Sequence, residues 1–267
     1  MNRTLANGTC VWGLAVYGNK LYVDRFREKE VEIYDTTSFS LDRRISVLGD
    51  GGCINDLATC PNCDFVFAAD LCSKMIHAVD VNGARNQWSV TDEPWSLSVN
   101  SQMNVIVTFR DTKKLREFTS SGSLVREITL QSDINDPHHA IQVDNNRYVV
   151  AHGDPTDTGL HRVCIVNGNG QIVHSYGKNR GSGDGQLYSP VRLALFGESL
   201  VVADLNSRRL LIFEASTLTL LHTIDSSKIA RISLNVDGKR LYASIVNQSN
   251  NAQCVSAHIE VSDINWV

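Results

Sequence analysis

Six times along the chain a short apolar run recurs: Trp12-Gly13-Leu14-Ala15-Val16, Asn55-Asp56-Leu57-Ala58, Trp95-Ser96-Leu97-Ser98-Val99, His139-Ala140-Ile141-Gln142-Val143, Val191-Arg192-Leu193-Ala194-Leu195 and Ala230-Arg231-Ile232-Ser233-Leu234. Their central aliphatic residues are spaced by 43, 40, 44, 52 and 39 positions. A repeat of about 40 residues is the length of one four-stranded propeller blade. Each run is followed by a second that ends in a small, polar or aromatic residue, as in Leu21-Tyr22-Val23-Asp24, Phe67-Ala68-Ala69-Asp70 and Val201-Val202-Ala203-Asp204. Continuous apolar, β-branched runs between turn residues read as strands buried on both faces. A third run then alternates with polar residues, and no segment keeps helical spacing over 12 residues.

The expected fold is therefore all-β, a single six-bladed β-propeller of four-stranded antiparallel blades. The blades are expected over about 9–50, 51–91, 92–130, 135–177, 187–224 and 228–263. Little chain follows Val261, so the last blade is expected to be closed by residues 1–8, with Arg3-Thr4-Leu5 as its outer strand. Closing the ring removes the exposed edges of a linear array.

Composition narrows the function classes. The formal net charge is −4, and neither half of the chain is net basic, so no basic tail points to DNA. No apolar stretch reaches the roughly 18 residues of a membrane span, and no signal-peptide pattern opens the chain. The seven cysteines are Cys10, Cys53, Cys60, Cys63, Cys72, Cys164 and Cys254. An odd count without a signal peptide reads as free thiols in a reducing, cytoplasmic setting. Three sequons, at Asn2, Asn7 and Asn247, argue the other way.

The stretch between the fourth and fifth runs is the most specific. It reads Tyr176-Gly177-Lys178-Asn179-Arg180-Gly181-Ser182-Gly183-Asp184-Gly185-Gln186-Leu187-Tyr188-Ser189-Pro190-Val191-Arg192-Leu193-Ala194, and continues to Val202-Ala203-Asp204 and Asn206-Ser207-Arg208-Arg209-Leu210. Glycines permit positive φ in a tight turn, proline starts a strand where its missing N–H costs nothing, and the aspartate is placed to cap a turn. This stretch resembles the NHL repeat, and the chain looks like an NHL propeller similar to the C-terminal domain of TRIM-NHL proteins. That resemblance implies a target-selecting role within a ubiquitin ligase. No RING, B-box or coiled-coil pattern is present in this sequence.

Strand polarity sorts the loops onto two faces of the disc. Loops that enter first strands and leave second strands share one face, here called the entry face. Cys53 and Cys72 fall on it, whereas Cys60 and Cys63 fall on the opposite face, too far away to join a common zinc site. His138, His139, His152 and His161, with Asp154 and Asp157, all belong to the fourth repeat, so they form no central ring of ligands. A lyase- or lactonase-type metal-dependent propeller is the enzymatic alternative, with Asn55, Asp56 and Asp204 as its acidic and amide groups. No G-x-S-x-G elbow or phosphate-binding loop is present, and no metal or cofactor is expected.

The expected function is non-catalytic recognition of a protein partner through the entry face. Its candidate residues are Arg25, Arg110, Arg192, Arg208, Arg209, Arg231, Trp12, Trp95, His139 and His152. Arginine with aromatic groups suits a protein hot spot. It also suits phosphate contact and base stacking, which makes RNA binding in post-transcriptional regulation the alternative.

Overall fold

The structure is a computed structural model. It describes residues 3–8, 10–25, 28–48, 52–60, 65–80, 84–153, 159–225, 234–236, 240–248 and 254–263. It is an all-β propeller of four-stranded antiparallel blades. Five blades, rather than six, are each complete in four consecutive strands. Blade 1 holds Val11–Tyr17, Lys20–Arg25, Glu30–Asp35 and Leu41–Ser46. Blade 2 holds Ile54–Thr59, Phe65–Asp70, Met75–Asp80 and Arg85–Ser89. Blade 3 holds Ser96–Val99, Val105–Phe109, Lys114–Phe118 and Leu124–Thr129. Blade 4 holds Pro137–Asp144, Arg147–His152, Leu160–Asn167 and Ile172–Asn179. Blade 5 holds Pro190–Phe196, Ser199–Asp204, Arg209–Glu214 and Leu220–Asp225.

The remaining four-stranded sheet is composite. Leu234–Val236, Arg240–Gln248 and Cys254–Asp263 come from the late part of the chain, and Arg3–Gly8 completes it from the early part. Arg3 pairs with Val261 and Leu5 with Ile259.

Burial follows the position of a strand in its blade. Every residue of Val105–Phe109 and of Ser199–Asp204 is buried, because a second strand is covered by neighbouring blades on both faces. The outer strands Leu41–Ser46 and Leu220–Asp225 are mostly exposed and carry polar residues. The apolar core is accordingly divided into clusters between neighbours. Tyr22 and Ile33 of blade 1 meet Leu57 and Val66 of blade 2. Ile165 of blade 4 meets Leu200 and Phe213 of blade 5. Val201 of blade 5 meets Leu241 of the composite sheet, and Tyr242 and Ile259 of that sheet return to Leu14 and Leu21 of blade 1. The packing therefore runs around a ring, with the first strands facing a central channel.

The first strands share one irregularity that positions the candidate site. Pairing with the second strand slips by a residue between Val11 and Gly13, Ile54 and Asp56, Pro137 and His139, and Pro190 and Arg192. Each slip is a β-bulge at the entry end, and a bulge re-aims the side chain of its extra residue. The extra residues are Trp12, Asn55, His138 and Val191.

Candidate functional site

All four bulge residues line one cavity of 210 Å³ on the entry face. Trp95 of blade 3 joins them; its N–H donates to Thr108 O while the next residue, Ser96, pairs with Thr108. The apolar lining is Val11, Trp12, Trp95, Val191 and Leu205, and the polar lining is Asn55, Arg110, His138, Ser189 and Arg192. A feature repeated for reasons of blade geometry thus becomes a ring of inward-facing side chains of different chemistry.

One residue deeper, the first strands present Gly13, Asp56, Ser96, His139 and Arg192, which pair in register with Asp24, Ala69, Thr108, Ala151 and Ala203. Arg192 Nη1 donates to Asp56 Oδ2 at 2.5 Å, joining blade 5 to blade 2 across the channel. Arg192 Nη2 donates to Trp12 O at 3.4 Å. Asp56 also accepts from the backbone N–H groups of Leu97 and Leu57, both at 2.9 Å. Burial raises the Asp56 pKa, and the Arg192 charge followed by the Leu97 N–H opposes that rise. Arg192 lines both the cup and a deeper channel space of 320 Å³, so the ion pair forms the floor of the first and the roof of the second.

His139 extends this layer. Its Nδ1 accepts from Leu193 N at 3.3 Å and its Nε2 lies 3.1 Å from Leu97 O. Acceptance at Nδ1 puts the ring proton on Nε2, which donates to that carbonyl. Burial, and then the Arg192 charge, hold the His139 pKa down at about 3. The ring is a neutral bridge between blades 3, 4 and 5. Gly13 and Asp24 form the opposite case. A Cβ at Gly13 would meet Leu57 Cγ at 2.7 Å and Asp24 Cβ at 3.1 Å, so only glycine fits. Asp24 is fully buried, and neither carboxyl oxygen has a hydrogen-bond partner. Burial raises its pKa well above the carboxylate range, and the Asp56 charge raises it further.

The candidate arginines divide by role. Arg25 is buried and donates from Nε to Glu32 at 2.6 Å, with Arg44 on the other carboxylate oxygen at 2.9 Å. Arg209 donates to Asp204 at 3.0 Å and pins the glycine-rich linker through Ser182 O and Gln186 O. Arg110 is paired with Asp136, its Nη2 at 2.7 Å from Oδ2, and its guanidinium lies 4.5 Å from the Trp95 ring centre. Arg208 is exposed, and Arg231 lies outside the described residues, as do Asp154, Asp157 and Cys63. His152 is buried away from the cup; Arg162 Nε donates to its Nε2 at 3.3 Å, and burial followed by the Arg162 charge holds its pKa at about 3. The structure thus brings Trp12, Trp95, Arg110 and Arg192 together at one cavity, sets His139 directly below them, and puts Arg25, Arg209 and His152 to structural use.

The expectation of free thiols holds at Cys164, which is free and buried, and is overturned at four other cysteines. Cys53 and Cys72 form a disulfide, and Cys10 and Cys60 are also disulfide-bonded. The Cys53–Cys72 bond joins the loop entering blade 2 to the loop leaving its second strand. It reinforces Asp70, whose carboxylate accepts from Cys53 N and Ser73 N at 3.0 and 3.1 Å. Burial would raise the Asp70 pKa, but hydrogen bonds from His77, Cys53 and Ser73 outweigh it and hold the group at about 2. Asp204 plays the same capping part in blade 5 by accepting from Tyr188 N at 2.6 Å.

Ser189 is the polar cup residue that sequence reasoning missed, beside the apolar Val11, Val191 and Leu205. It is 1% exposed, and its hydroxyl has no hydrogen-bond partner. Its φ is +65°, matching +56° at Asp136, and each residue precedes the proline that opens its first strand. The Asp136-Pro137 and Ser189-Pro190 dipeptides were the available signal for this shared turn.

No family model matches the chain, and no curated protein matches it. Solved structures do match. A streptogramin B lyase aligns over 99% of this chain and 98% of its own, with TM-score 0.69 and 9% identity. A Kuenenia stuttgartiensis hydrazine synthase aligns over 96% of each chain, with TM-score 0.66 and 14% identity. The Myceliophteria thermophila Cps50 (Swd1) β-propeller domain aligns over 99% of this chain and all of its own, with TM-score 0.66 and 11% identity. At these identities the likeness shows the propeller fold and nothing narrower.

Proposed function

We propose that the chain is a non-catalytic recognition module that binds a protein partner in the entry-face cup. The observation that carries this reading is the cup itself: two tryptophan walls over a floor whose arginines are held rigid by carboxylates. Preorganised aromatic and arginine groups in a recessed pocket are the usual make-up of an interface hot spot. The histidine of the cup, His138, has Nε2 3.3 Å from Gly153 O, and the groups with catalytic chemistry beneath and beyond the cup are engaged otherwise. His139 and His152 are held neutral, and burial pushes the Cys164 thiol up to about 12. The RNA alternative draws little support, because Arg25, Arg110, Arg192 and Arg209 each face a carboxylate at close range.

Three finer readings belong with this proposal. The composite sheet serves as a sixth blade, supported by its packing against blades 5 and 1. Kinship with NHL propellers, and with it a target-selecting role in a ubiquitin ligase, rests on the 176–210 stretch alone. Among the described residues no helix is long and apolar enough to cross a membrane. The disulfides favour an oxidising compartment over the cytoplasm expected from the cysteine count.

A photo-crosslinking amino acid placed at Leu205, in the cup, tests the choice of face against one at Val173, on the exposed outer strand of blade 4. A discrete protein adduct from position 205 that disappears in Trp95→Ala is expected. Adducts from position 173 and none from 205 would overturn the assignment.

A further inference from the structure

We infer that the cup takes a single uncharged aromatic side chain of the partner, and that the main-chain carbonyl beside that residue accepts a hydrogen bond from Ser189 Oγ. This inference rests on the cup being the partner site.

Size comes first. The cup holds 210 Å³, below the roughly 300–1,000 Å³ of sites that enclose a small organic ligand. A space of that volume suits one large side chain projecting from a larger molecule. The walls then select its kind. Trp12 and Trp95 face the space from blades 1 and 3, with Val191 and Leu205 completing an apolar surround. Aromatic rings offer their faces and edges to another ring in offset or edge-on contact.

Charge selects further. Arg110 and Arg192 both line the cup. A cationic side chain would meet two guanidinium groups, and their carboxylates already have partners in Asp136–Arg110 and Asp56–Arg192. An anionic side chain would add a negative charge beside two guanidinium groups whose charge Asp56 and Asp136 already match, so its own charge would be buried without a balancing one. An uncharged ring disturbs neither pair.

Ser189 supplies the polar contact. Ser189 lines the cup, and its hydroxyl, buried just beneath the surface, has no partner in the free protein. A buried hydroxyl without a partner carries a desolvation cost that a ligand acceptor removes. Its proton is the donor and the partner's carbonyl oxygen the acceptor. The left-handed backbone at Ser189 is shared with Asp136, so it belongs to the turn and needs no catalytic explanation.

The test is selection of a random dodecapeptide phage library on the intact, disulfide-bonded chain, followed by anisotropy titration of the enriched peptides. Expected are sequences sharing one Phe, Tyr or Trp position, whose replacement by Ala weakens binding at least about 10-fold. Ser189→Ala should weaken binding about 3- to 10-fold with a melting temperature equal to or above that of the wild type, consistent with loss of one hydrogen bond to the ligand and of an unsatisfied hydroxyl in the free protein. Raising salt from about 50 to 500 mM should change Kd less than about 2-fold, since no net charge is matched. Peptides that require Trp95 but share an Arg, Lys, Asp or Glu anchor would overturn this inference and leave the choice of site standing. So would unchanged affinity for Ser189→Ala. Peptides indifferent to both Trp95→Ala and Ser189→Ala, or no enrichment at all, would overturn the site and the inference together.

Discussion

Removing Arg192 tests whether the layer beneath the cup is built as described. Arg192→Met leaves the Asp56 carboxylate, whose side chain is 2% exposed, with only the Leu97 and Leu57 N–H groups as partners. Breaking one side of a buried pair costs about 3–5 kcal/mol. At about 2–4 °C per kcal/mol for a domain of this size, the melting temperature should fall by roughly 6–20 °C. Asp56→Asn should cost less, because the amide oxygen still accepts from Leu97 N and the arginine, at 13% exposure, can turn toward the cup. The double variant Asp56→Asn with Arg192→Met removes both charges. It should be more stable than the sum of the single effects by about 2 kcal/mol.

The pH dependence carries a second check. Without Arg192, the largest influence lowering the Asp56 pKa is gone, so that pKa climbs further above its unfolded value of about 3.9. A raised carboxyl pKa favours the folded state at pH below the unfolded value, and the advantage disappears as pH rises through the folded one. The Arg192→Met penalty should therefore be smaller at pH 4.5 than at pH 7.5 in paired urea denaturation curves. A loss below about 1 kcal/mol, a penalty independent of pH, or strict additivity in the double variant would refute the cross-channel pair.

Two further outcomes follow from buried groups. Asp24→Asn should stabilise the protein at pH 7.5 and flatten its stability between pH 4.5 and 7.5, because the raised Asp24 pKa makes the wild type lose stability as pH rises. Keeping that carboxyl protonated at pH 7.5 costs at most about 5 kcal/mol, which bounds the gain; equal pH slopes in wild type and variant would count against a buried acid. Replacing Cys53 and Cys72 by Ser opens a loop with a sequence separation of 19, and the chain-entropy relation gives a loss of about 3 kcal/mol. Non-reducing peptide mapping that finds both thiols free in the native protein would remove that prediction.

The architecture was legible because a blade must repeat the same burial pattern. Val105–Phe109 and Ser199–Asp204 read as doubly covered strands from apolar runs alone, and both are buried throughout. The common register of Gly13, Asp56, Ser96 and Arg192, each just before the central aliphatic residue of its run, follows from the period; in the fourth run that position is Ala140, and strand pairing puts His139 in the layer instead. What the period could not show was the bulge one residue earlier. A bulge is a property of pairing between two strands, and no residue type in Trp12, Asn55, His138 or Val191 announces it. The cysteines were misjudged for a related reason. An odd total says nothing about which sulfurs meet, and Cys53 and Cys72 were recognised as sharing a face without being recognised as neighbours.

The arginines show where a sequence reading of charge gives out. In the sequence, Arg192 and Asp56 stand 136 residues apart, and they read as a binding-face cation and a separate candidate acidic group, not as partners. In the structure they belong to blades 5 and 2, and their ion pair joins the two across the channel. Glycine at 13 adds to this. A Cβ there would run into Leu57 and the buried Asp24, in the layer where Arg192 reaches Trp12 O and Asp56. The stability of the disc and the shape of its cup therefore depend on the same guanidinium. Any substitution at Arg192 meant to probe binding must first be read as a change in folding, whereas Ser189 can be altered for binding alone.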